Sequence, residues 1–216
     1  MMTEPDVTLT DYGLAVECAL FAYLVYVKGT PHNPRRFWLV AFFSSTGAAT
    51  LLGGTVHGFF LDASTAGSAI LWPASLVAIG GAAMAAWAIA ATILCTQPVA
   101  NWIAIAAGVE FAVYCFVILL ITDNFVFAVI NYLPPALLLL FGLIFLWRRT
   151  REPQPAMGGV GIGLMFVASW VQQQGFAVHP VYFNHNALYH LIGAVALFLI
   201  FLAARWLVVA STNEGG

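Results

Sequence analysis

The sequence predicts an all-α membrane protein: one domain, residues 1–216, forming a bundle of seven transmembrane helices, N-terminus outside and C-terminus in the cytoplasm. Three observations carry this expectation. Hydrophobic residues make up 62% of the chain and charged residues only 7%, with a mean hydropathy of +0.93. A soluble domain carries about a quarter charged residues, so this composition cannot cover a water-facing surface. The apolar runs approach the roughly 20 residues that a bilayer core asks of a helix, more than barrel strands need. Finally, the basic residues gather between the first and second runs, between the fifth and sixth, and near the end of the seventh, all on one side if there are seven crossings.

The runs lie at about 13–28, 37–61, 70–95, 101–122, 125–147, 157–174 and 187–209. The first follows "MMTEPDVTLTDYG", which is acidic and lacks a basic leader segment, so it reads as a retained helix, not a cleaved signal peptide. The second follows Lys28, Arg35 and Arg36 and carries Gly53, Gly54 and Gly58; the third carries Gly80 and Gly81, with Trp72-Pro73 as an alternative start. Such small residues let helix backbones approach where lipid offers no hydrophobic drive. The fourth holds Glu110 and Tyr114 one turn apart. In the fifth, Pro134 and Pro135 deprive the carbonyls of Ile130 and Asn131 of helical donors, giving either a packing kink or acceptors facing a cavity. The sixth follows Arg148, Arg149 and Arg151, carries Gly158, Gly159, Gly161 and Gly163, and ends in Gln172–Gln174. The seventh is "NHNALYHLIGAVALFLIFLAARW", with Arg205 near its end.

The second-to-third, fourth-to-fifth and sixth-to-seventh connections contain no Lys or Arg, which places the N-terminus outside by the positive-inside rule. Trp38, Trp102, Trp147 and Trp206 then fall near the inner boundary, Trp72 and Trp170 near the outer. A plasma or inner membrane is the expected location. Cys18, Cys95 and Cys115 lie in apolar runs without C-x-x-C spacing and read as small buried hydrophobes. A net charge of −2 gives no nucleic-acid footprint.

Polar residues gather at one depth. His57, His190, His185, Asn184, Glu17, Asp62, Asp123, Asn131 and the three glutamines all belong to the outer side. Each ionisable group in hydrocarbon costs on the order of 2–3 kcal/mol on insertion scales, so such groups face a cavity or one another. Three imidazoles with one or two carboxylates match the ligand chemistry of zinc or another divalent ion. His32 and His179 read as interfacial residues, and Asn184 or Asn186 as a helix cap. Glu17, His57 and His190 are expected to point into one pocket between the first, second and seventh helices. His185 and His190 are about 140° apart on an ideal helix, whereas Asn186 and His190 share a face. Either His185 swings in from the loop while Asn186 caps the helix, or Asn186 faces inward.

Seven spans, "GTVHGF" in the second and "NHNALYHLIGAVALF" opening the seventh resemble the CREST superfamily of membrane hydrolases, which includes alkaline ceramidases and the progestin and adipoQ receptors. That family's pattern is Ser-x3-His in the second helix, Asp in the third and His-x3-His in the seventh. The resemblance covers the topology of the chain and two motif positions, His57 and His190. Gly53 stands at the serine position, Asn186 at the first seventh-helix histidine with His185 displaced by one, and the third span offers Ser68 and Ser75 where an aspartate is expected. It implies zinc held by His57, His185 and His190, activating water against a lipid amide or ester, with Glu17 or Asp62 as general base. Membrane lipids would be substrate and partner. Competing expectations are a haem- or small-ligand-binding protein with His57 and His190 as axial ligands, and a transporter or assembly partner using the polar cluster. A retinal protein is disfavoured, because the sole lysine, Lys28, lies at a helix end.

Overall fold

A computed structural model describes residues 2–30, 32–179 and 182–210. Among these residues there are seven helices: α1 Pro5–Lys28, α2 Pro34–Phe59, α3 Ala66–Leu94, α4 Gln97–Leu120, α5 Phe125–Thr150, α6 Pro153–Gln173 and α7 His185–Ala210. All are long and apolar enough to cross a bilayer. In contact order α1, α2, α3, α5, α6 and α7 close into a ring, and α4 packs against α3 at its edge.

The largest departure from expectation is the start of α1. Hydropathy begins that helix near residue 13, but it begins at Pro5, with Asp6 in its first turn. Pro suits this position because its missing amide would have no helical acceptor. The extra turns continue one buried stripe: Val7, Thr8, Asp11, Leu14, Cys18, Phe21, Ala22 and Val25 recur at three- and four-residue steps. The α3 start also moves, to Ala66, where the Thr65 hydroxyl accepts from the Ser68 amide, so Pro73 lies inside the helix. Pro134 and Pro135 likewise fall within an unbroken α5.

The core is built where α1, α2 and α7 meet. The Phe21 and Phe201 rings stack at 4.2 Å, and Phe43 meets Phe21 edge-on at 5.6 Å, geometries that suit the ring quadrupoles. Close approach depends on glycine at two seams. A Cβ on Gly54 would lie 2.7 Å from Cβ of Asp11, and one on Gly161 would lie 2.6 Å from the carbonyl of Ala196. The first lets α1 lie against α2, and the second seats α6 on α7.

At the end where α1 stops, polar side chains tie the helices together. The Asn33 amide donates to the Leu207 and Val208 carbonyls at 3.3 and 3.1 Å. Arg35 donates to the Thr92 carbonyl at 3.0 Å. These bonds satisfy the last carbonyls of α7 and α3, which have no intrahelical donors. This basic end lies opposite the polar end, where α1 begins, α2 finishes and α7 begins.

Candidate functional site

The polar end is organised by the first turns of α1. Thr3 donates its amide to the Gly58 carbonyl at 3.0 Å, fixing the chain entry on the end of α2. Glu4 then meets Nδ1 of His57 at 2.5 Å, a partly exposed pair. Asp6 accepts from the Asn184 amide at 2.9 Å, so a carboxylate sits where α7 presents its unpaired amides and positive dipole end. Asn184 is the cap of α7: its Oδ1 accepts from the amides of Asn186 and Ala187 at 2.9 and 3.1 Å.

Deeper in the bundle lies a buried pair of ionisable groups, Asp11 and His190. His190 Nε2 approaches Asp11 Oδ1 at 3.2 Å, with side-chain exposures of 10% and 5%. Its other nitrogen, Nδ1, is 3.0 Å from the Thr10 hydroxyl, and the Tyr189 ring packs beside it at 5.2 Å. His57 and Asp6 are within electrostatic reach of the ring. The Gly53 and Gly54 face of α2 walls the carboxylate on its far side, with Ser75 of α3 beside Gly53.

Hydrogen-bond bookkeeping locates a proton in this arrangement. The Thr10 hydroxyl lies 2.8 Å from the Asp6 carbonyl and 3.0 Å from that of Val7. His190 Nδ1 either donates to the Thr10 oxygen or, in the other tautomer, accepts from the hydroxyl, and in both cases a proton lies between Nε2 and Asp11 Oδ1. Where Nδ1 accepts, the dyad is neutral imidazole with carboxylate; where Nδ1 donates, it is imidazolium with carboxylate or imidazole with carboxylic acid. This is a chemically competent acid–base pair, its carboxyl on α1 and its imidazole on α7, with α1 seated against the Gly54 face of α2.

The residues singled out from sequence divide around this centre. His190 is at it and His57 is near it, as neighbours on α7 and α2. Glu17 is half-buried, nearly two turns along α1 from Asp11, and among the described residues no hydrogen bond or ion pair joins it to His57 or His190. Asp62 is exposed in the α2–α3 connection, where its Oδ1 accepts from the Ser64 amide at 2.9 Å and hydroxyl at 2.8 Å. Those bonds, the backbone one foremost, hold its carboxyl below the ordinary carboxylate value. His185 is the first residue of α7 and half-buried. Asn186 is not the cap: its oxygen accepts from Gln172 of α6 at 3.0 Å, leaving the cap to Asn184.

Both ring nitrogens of His190 face side chains, Nδ1 of His57 is taken by Glu4, and among the described residues no three of His, Cys, Asp and Glu converge as a metal ion would need. The carboxylates that do meet the histidines, Glu4 and Asp11, were missed because they stand before the apolar run, as does Asp6 on the Asn184 amide. A signal was present: Thr8 and Asp11 fall on the three–four stripe that Leu14, Cys18 and Phe21 continue.

No curated protein and no solved structure matches the chain. Residues 7–208 match the family described as "Family of unknown function (DUF6962)". That match spans the site from Thr8 to His190 and nearly all of the helical bundle, and the chain belongs to this family.

Proposed function

We propose that the protein is a multi-pass membrane hydrolase of lipid ester or amide bonds, with Asp11 and His190 as its acid–base centre. The observation that carries this reading is the buried Asp11–His190 contact, backed by the Thr10 hydroxyl and lying deeper in the bundle than Glu4–His57. Ionisable groups placed inside a membrane-spanning bundle are costly and mark function by default. The resemblance of the His57 and His190 segments to membrane hydrolases agrees with the chemistry of the pair.

The distribution of Lys28, Arg35, Arg36, Arg148, Arg149 and Arg151 orients the bundle with its basic end in the cytoplasm and its polar end outside. The centre then lies about one turn below the outer boundary, at the depth of lipid carbonyls, and a lipid reaches it sideways from the outer leaflet. In the reaction, water adds through oxygen to the acyl carbon and gives its proton to the Asp11 carboxylate. The bond from acyl carbon to the ester oxygen or amide nitrogen breaks, and the leaving group takes the proton of the His190 imidazolium. General acid–base catalysis of this kind contributes typically 10²–10⁴-fold. Thr10 orients the ring through Nδ1, and Glu4–His57 closes the mouth of the site.

The test is acyl-chain release by the purified protein in bilayer discs, offered a ceramide, a lysophospholipid and a diacylglycerol. Turnover of at least one, lost in Asp11→Asn, supports the assignment. An inert wild-type protein across the three overturns it.

A further inference from the structure

At the basic end, away from the acid–base centre, a groove of about 400 Å³ opens between the end of α1, the start of α6 and the end of α7. It is lined by Lys28, Gln154, Leu202, Arg205, Trp206 and Val209. We infer that this groove binds the headgroup of an anionic phospholipid bearing a hydroxyl, of the phosphatidylglycerol type.

Three independent features converge on that ligand. Lys28 and Arg205 supply two exposed positive charges to one concavity. The first turn of α6 begins at the same place with no side-chain cap, and its two amides, those of Gln154 and Ala156 (Pro153 and Pro155 have none), present the positive end of the helix dipole there. Gln154, in that turn, carries a buried side-chain oxygen without a hydrogen-bond partner among the described residues. An unsatisfied buried acceptor is costly, and a headgroup hydroxyl is the donor it lacks. A phosphodiester satisfies the two cations and the amides together. The apolar walls, Leu202, Trp206 and Val209, fit acyl chains and glycerol better than a free anion, and basic pockets between helices at this boundary suit anionic lipid. Among the described residues Glu152 is the acid beside the α6 start, and it does not line the groove.

The test uses the full chain in detergent, with lipid adducts counted by native mass spectrometry and affinity read from the shift in melting temperature. Dioleoyl phosphatidylglycerol should bind at one molecule per chain and raise Tm, while dioleoyl phosphatidylcholine does neither. Lys28→Gln and Arg205→Gln should each weaken phosphatidylglycerol about fivefold, the value of one basic residue near an anionic surface. Gln154→Leu should narrow its preference over phosphatidylmethanol, which has the same charge and no headgroup hydroxyl. Equal binding of phosphatidylglycerol and phosphatidylcholine by the wild-type protein overturns the inference, whatever the variants do. Full competition by glycerol 3-phosphate at matched concentration also overturns it, by assigning the groove to a soluble anion. A glutamine variant with a lowered lipid-free Tm is replaced by Lys28→Arg or Arg205→Lys. Those variants must keep phosphatidylglycerol selectivity; its loss from both contradicts a charge-based site.

Discussion

Replacing Asp11 by alanine removes the partner of His190 Nε2 from a contact in which the two side chains are only 5% and 10% exposed. Water cannot replace it, and Nδ1 remains tied to Thr10. Breaking one side of a buried ion pair costs roughly 3–5 kcal/mol, because the other side stays buried and uncompensated. An ordinary hydrogen bond between membrane helices contributes far less, about 0.6 kcal/mol on average and at most about 1.7. The two figures separate the possibilities. Asp11→Ala, His190→Ala and the double variant define a thermodynamic cycle, measurable by denaturant titration of the bundle in mixed micelles. A proton-holding dyad gives a coupling energy above about 2 kcal/mol, with the double variant more stable than the sum of the singles implies. Additive single effects, or a coupling near 0.6 kcal/mol, would show that the two groups touch without forming the dyad.

Other outcomes follow from the same geometry. Gly54→Ala places a Cβ 2.7 Å from that of Asp11 and should cost about 1–3 kcal/mol by overpacking the α1–α2 seam, measured in the same titration; a neutral effect would contradict the close approach. Glu4→Ala should cost less than about 1 kcal/mol, since its pair with His57 is partly open to solvent; a loss as large as that of Asp11→Ala would reverse their ranking. The carboxyl of Asp62, lowered by its bonds from Ser64, should titrate below the ordinary value of 3.8 when followed by carbon-detected NMR. Being depressed in the folded state, it supports the loop at neutral pH, and that support fades as pH falls through its folded value; a midpoint above 3.8 would refute the Ser64 turn. Cysteines placed at Asp62 and Asp123 should react with an impermeant reagent from outside, and those at Arg36 and Arg149 from the cytoplasm. Labelling of both sets from one side would refute the orientation.

The helices were legible because the bilayer imposes a coarse requirement, some 20 apolar residues, that hydropathy reports directly. The same criterion hid half of the site. Glu4, Asp6, Thr10 and Asp11 lower the hydropathy ahead of residue 13, so the apolar run begins two turns after the helix does. Their helical state is decided by packing on α2 and α7, not by their own transfer energies. His57 and His190 were legible because imidazoles inside apolar runs are conspicuous. Their partners were not, since Thr10 and His190 meet across the bundle from opposite ends of the chain. Asp62 was legible only as a carboxylate beside the second helix; the turn in which the Ser64 amide and hydroxyl both donate to its Oδ1 was not. The Asn184 cap was one of two readable choices, and the contact from Gln172 that claims Asn186 is tertiary.

The most direct test compares turnover of Asp11→Asn, His190→Gln and His185→Ala on whichever lipid the wild-type protein hydrolyses, with metal content determined on the same preparations. Loss of at least about 100-fold in the first two variants, with His185→Ala unchanged and turnover indifferent to chelation, is the expected result. Stoichiometric metal lost with His185→Ala, or full turnover surviving Asp11→Asn, would contradict an acid–base centre built on Asp11 and His190.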